Sequence, residues 1–150
     1  MLKINKIYSK SESEIIFAVT APLYWWADEG GVVANTIPWE EVIKSHIKEK
    51  SFTLDDFSID GLFERSIVPL EQTIKVLNYY RLQYIEQDIA STSSKEEYLQ
   101  QILKLLPYNF NITGNIKLSI ATFRFMQRWF KDSSYKEWGD FIKCIQEQIE

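Results

Sequence analysis

One short run constrains this chain more than any other. Ile15–Thr20, "IIFAVT", is apolar and partly β-branched, which fits a buried strand far better than a helix. "KINKIYS" precedes it and can pair with it across the polar "KSESE". Everything after Pro38 reads predominantly as helix.

Pro22 opens a short aromatic helix or turn containing Tyr24, Trp25 and Trp26, and Gly30-Gly31 ends it. Thr36 and Pro38 mark a helix start, with Glu40 and Glu41 in the first turn, running to about Lys48. "SFTLDDFSIDGLF" is an extended or turn-rich connector. Ile67, Leu70, Ile74, Leu77 and Tyr84 recur at helical spacing and predict the longest helix, from Ser66 to about Asp88. Ser93 or Ser94, with Glu96 or Glu97, forms a capping box, and Pro107 stops the helix that follows. "YNFNITGNIKL" is loop or strand. Helices are expected at about Lys117–Lys131 and at Tyr135–Ile149, the last with Trp138, Phe141, Ile142, Ile145 and Ile149 on one face.

Nothing in the chain looks like a linker or a repeat, and 150 residues are enough for one domain, 1–150, with its own core. Aromatic residues make up 15% of it, so they should dominate the packing. The single cysteine, Cys144, and single histidine, His46, offer no disulfide and no N/S zinc cluster. A net charge of −4 argues against broad nucleic-acid binding. The N-terminal stretch lacks an apolar core and no apolar run reaches the roughly 18 residues of a span, so a cytoplasmic protein without membrane contact is expected.

"TAPLYWW" (20–26), "FTLDDFSIDGL" (52–62), "LNYYRLQYIEQD" (77–88), "ILKLLP" (102–107) and "EWGDF" (137–141) occur in an order that resembles short phage- and Firmicute-type flavin-dependent thymidylate synthases. The resemblance implies an α+β fold, a small largely antiparallel sheet packed against several long helices, usually assembled as a tetramer. It also implies FAD and deoxyuridylate held by an R-H-R motif and a following serine and arginine, just after the segment matching Pro22–Trp26. Here that stretch reads "ADEGGVVANTIPWEE". It has no arginine, histidine or serine from Ala27 to Glu41, and carries Asp28, Glu29, Glu40 and Glu41 instead. Acidic side chains repel phosphorylated ligands rather than organise them. In the second ligand region Pro107 is kept, but Ser119 and Phe130 stand where the family has asparagine and arginine.

The expectation is thus a fold without its flavin chemistry: a non-catalytic binding, regulatory or assembly protein of phage or mobile-element origin, with no cofactor unless FAD finds an altered site. A homo-oligomer, dimer or tetramer, is expected. The alternative is a nucleotide-binding protein, or an enzyme of nucleotide metabolism, with an altered site. Its candidate ligand residues are Trp25 and Trp26, which could stack a planar ring, and the basic stripe Lys117, Arg124, Arg128 and Lys131, which could meet a phosphate or an acidic protein. Each has a plainer reading, core packing for the tryptophans and a solvated helix face for the stripe. A third reading is an interaction module with an exposed aromatic groove. His46 has no acid partner at motif distance and reads as a surface or helix-end residue. Asp55, Asp56 and Asp60 lack the EF-hand spacing and read as turn and cap residues.

Overall fold

A computed structural model describes residues 2–27, 39–86, 94–130 and 135–149. The chain forms two compact units, one from residues 1–37 and 111–150, the other from residues 38–110. The class is α+β: among the described residues there are three strands and six α-helices. None of these helices is long and apolar enough to cross a membrane.

The first unit is built on an antiparallel sheet of order β1-β2-β3, with β1 at Lys3–Lys10, β2 at Glu14–Pro22 and β3 at Asn111–Ser119. The central strand contains the "IIFAVT" run, and its register explains the burial. Ile15 lies opposite Leu118, Phe17 opposite Ile116 and Ala21 opposite Ile112, all of them buried on one face. β1 breaks register twice and carries Lys3, Lys6 and Lys10, features that discourage another strand from adding to an edge. Three helices belong to this unit: α1 at Leu23–Ala27, α5 at Ile120–Trp129 and α6 at Lys136–Ile149. Trp138, Phe141 and Ile145 of α6 share one buried face, and Phe141 packs its ring against Phe17 of the sheet.

The boundary between β3 and α5 corrects the expected helix at Lys117–Lys131. Ile112, Ile116 and Leu118 are buried at even positions, the period of a strand, and Ser119 is where the chain turns helical. The Ser119 hydroxyl accepts from the Thr122 N–H at 3.0 Å and caps the new helix.

The second unit consists of α2 at Trp39–Glu49, a short 3₁₀ turn at Leu54–Asp56, α3 at Glu64–Ile85 and α4 at Lys95–Leu105. Leu70, Ile74, Leu77 and Tyr84 form the buried face of α3, which packs along α4. Ser94 and Glu97 make the capping box of α4, while Leu106 and Pro107 leave the helix. Gly61 takes φ +85 in the turn before α3, a conformation L side chains rarely adopt. Gly30-Gly31, Pro38 and Ser93 lie outside the described residues.

Candidate binding surface

Each turn of α5 divides into an inward and an outward pair. Phe123, Met126 and, just past the helix, Phe130 are buried. Arg124, Phe125, Arg128 and Trp129, at i, i+1, i+4 and i+5, all face solvent, with Phe125 53% and Trp129 69% exposed. The two rings lean on one another at 5.6 Å between centroids, tilted by 35°. Arg124 donates to Gln127 Oε1 at 3.3 Å through one of its five N–H groups. It also lines a surface cleft of about 530 Å³ with Lys10, Ser11, Glu12, Ile120 and Ile149. Two guanidinium groups and two exposed rings on one helix face suit an anion that carries a planar group. Glu12 opposes that charge at one side of the cleft.

Of the residues expected at the site, only Arg124 and Arg128 come together this way. Lys117 is on β3, not on the helix, and its ammonium lies 3.5 Å from the Glu14 carboxylate of the neighbouring strand. The four-residue stripe is therefore not one helix face. Lys131 lies outside the described residues. Phe125 and Trp129 complete this face, and their i, i+4 spacing beside the arginines is visible in "RFMQRW".

Trp25 and Trp26 form no pocket wall. They are 1% and 3% exposed, in an aromatic cluster with Trp138 and Phe141. The Trp26 indole N–H is shared between the carbonyls of Ala21 and Ile112, at 3.1 and 3.2 Å, which ties α1 to both strands. Next to them Tyr24 stacks on Tyr135 and donates to the buried Glu137 carboxylate at 2.5 Å. These contacts hold α1 in place, as core residues do.

No family model, no curated protein and no solved structure matches this chain.

The other polar cluster is in the second unit. His46 does have an acid nearby: Asp56 Oδ2 is 3.7 Å from its Nε2, too far for a hydrogen bond, and both side chains are about nine-tenths buried. The imidazole stacks on Phe52 and meets Phe110 edge-on. Burial holds its pKa below the ordinary value; Asp56 and a hydrogen bond with the Ser51 backbone oppose this, while Lys50 and Arg81 reinforce it. Asp56 is occupied elsewhere, accepting from Lys50 Nζ at 3.0 Å and from the Thr53 N–H at 2.8 Å, the capping role read from the sequence. His46 Nε2 has no hydrogen-bond partner among the described residues. Among the described residues no group of three His, Cys, Asp or Glu side chains is placed to hold a metal.

Proposed function

We propose that this is a non-catalytic binding protein, a diverged relative of flavin-dependent thymidylate synthases, that engages its partner through the outward face of α5. The observation that carries the reading is the exposed quartet Arg124, Phe125, Arg128 and Trp129. Arginine and tryptophan are among the residues that most often dominate binding energy at interfaces. The favoured partner is a nucleotide, its base on the Trp129–Phe125 rings and its phosphate on the arginines; an acidic protein segment is the other partner this charge would accept. Among the described residues no comparable seat for flavin is seen. The tryptophans that could have stacked it are enclosed, and the segment after them carries carboxylates where phosphates would need arginine.

Absorbance of freshly purified protein and titration with FAD test the loss of flavin chemistry. A colourless protein with no saturable uptake is expected, and near-stoichiometric flavin would overturn the reading. Thermal-shift measurements with deoxyuridylate and other nucleotides test the surface. Stabilisation of the wild type that disappears in Arg124→Ala/Arg128→Ala supports it. Equal stabilisation of both proteins removes α5 from the account.

A further inference from the structure

The sheet of the first unit has two faces, and its core occupies one of them. Ile15, Phe17, Val19 and Ala21 of β2 are fully buried, so Glu14, Ile16, Ala18 and Thr20 point the other way. Register carries this outer face across all three strands. Lys3, Thr20 and Thr113 form one row, Lys6, Ala18 and Asn115 the next, and Lys117 lies opposite Ile16. The two register breaks of β1 fall at Asn5 and Tyr8, and the contacts of both residues place them on this face. Asn5 Nδ2 donates to Thr20 Oγ1 at 2.7 Å, and Thr20 Oγ1 lies 2.6 Å from Thr113 Oγ1, a polar ladder across the sheet. Tyr8 is 53% exposed, with the Lys6 ammonium 5.0 Å from its ring centre. Lys3, Lys6 and Lys117 are exposed as well. The carboxylate that opposes them on β2 is Glu14, 3.5 Å from Lys117.

We propose that this open face binds a single-stranded polynucleotide. The occupant is indicated by charge and by the aromatic ring. Lysines on β1 and β3 outnumber the Glu14 carboxylate and flank the centre of the sheet, where a phosphate backbone crossing the strands meets them in turn. Tyr8 offers a ring on which a base stacks, and a base is free to do so only when it is unpaired. Asn115 and the threonine ladder offer donors and acceptors to base edges. Edge protection alone explains lysines on β1, but not a bulge that exposes a tyrosine beside them. Apart from Tyr8, the largest hydrophobic side chain on the face is the half-buried Ile16, so it has nothing to insert into a lipid surface. The net charge of −4 supplies no long-range attraction. The complex therefore rests on these short contacts, and is weak and salt-sensitive. This inference is independent of nucleotide binding at α5.

Fluorescence anisotropy of the full chain with labelled oligothymidylate of roughly 12 nucleotides, at low salt, tests it. A matching oligouridylate shows whether the face takes DNA, RNA or both, and binding of either supports the proposal. Log affinity should fall against log salt with a slope of about −2 if three lysines meet phosphates. Lys3→Gln/Lys6→Gln should weaken binding about tenfold or more and flatten that slope to roughly a third. Tyr8→Ala should weaken it about tenfold, while Tyr8→Phe keeps the stacking ring and binds like the wild type. Glu14→Gln should tighten binding, since it frees Lys117 and removes the opposing charge; this gain cannot come from a misfolded variant. Arg124→Ala/Arg128→Ala should leave the oligonucleotide affinity within about twofold, which separates this face from α5. Absence of binding to both strands overturns the proposal, as does binding indifferent to the lysine and Tyr8→Ala substitutions. Loss of binding in the arginine variant assigns the strand to α5 instead. Equal affinity for polyglutamate or for duplex DNA rules out recognition of unpaired bases and overturns it as well.

Discussion

Asn78 holds the backbone of Phe52 from both sides: its Oδ1 accepts the Phe52 N–H at 2.7 Å, and its Nδ2 donates to the Phe52 carbonyl at 3.0 Å. One side chain of α3 thereby satisfies both polar groups of a residue whose ring is fully buried against His46, Phe57 and Phe110. Asn78→Leu should leave both backbone groups without these partners and cost about 2–4 kcal/mol. Asn78→Asp keeps the acceptor and loses the donor, and should fall between the two. Urea denaturation at neutral pH gives the ranking; an unchanged midpoint in Asn78→Leu would mean that the clamp contributes nothing.

His46 gives the second unit a pH dependence of defined sign. Burial lowers its folded-state pKa below the ordinary 6.5, against the pull of Asp56, so the unfolded chain takes up a proton at a pH where the folded chain does not. The stability tied to neutral His46 is therefore present above 6.5. It declines as pH falls below that value, and levels off once the folded imidazole itself protonates. Thermal melts between pH 8 and the onset of carboxylate titration, on wild type and His46→Gln, should show this slope in the wild type and lose it in the variant. A rise in wild-type stability over the same interval would reverse the assignment.

Two neighbouring tryptophans of similar burial should respond differently to the same substitution. Trp26 donates its N–H to two carbonyls, whereas Trp25 Nε1 is buried without a partner among the described residues. Trp25→Phe removes volume but also an unsatisfied donor, while Trp26→Phe removes volume and leaves the Ala21 and Ile112 carbonyls short of it. Trp26→Phe should therefore be the more destabilising by about 1–2 kcal/mol. Equal losses in chemical denaturation would show that the Trp26 hydrogen bonds add nothing beyond packing. Arg124→Ala/Arg128→Ala, by contrast, should cost under about 1 kcal/mol per exposed charge. Outright unfolding of that variant would mean that the arginines are structural.

The parts of this fold that were readable in the sequence are those decided locally. "IIFAVT" is the central strand, Ser94 and Glu97 cap α4, Pro107 follows its end, and the apolar spacing of Trp138, Phe141 and Ile145 gives α6. The strand at Asn111–Ser119 was half hidden because lysine and arginine at a spacing of seven, from Lys117 to Arg124, imitate one helix face. The alternation of Ile116 and Leu118 was the competing signal, and pairing with β2 made it prevail. The contact of His46 with Asp56 was not legible at all. It depends on the connector after α2 turning back so that a residue ten positions on meets the imidazole, which no short spacing encodes. The candidate site was legible as charge, in Arg124 and Arg128, and the spacing of Phe125 and Trp129 beside them is in the sequence too, but their exposure is a property of the packed helix.

The central claim is that α5, and not the Trp25–Trp26 pair, meets the ligand. Tryptophan fluorescence during titration with deoxyuridylate at low ionic strength tests it most directly, because Trp129 is the most exposed of the five tryptophans, with Trp39 half-buried and Trp25, Trp26 and Trp138 buried. The account predicts a saturable change in the wild type that is lost in Trp129→Phe, weakened in Arg124→Ala/Arg128→Ala, and reduced as added salt screens the exposed charges. A saturable change that survives unaltered in both variants would place the ligand elsewhere and contradict the account.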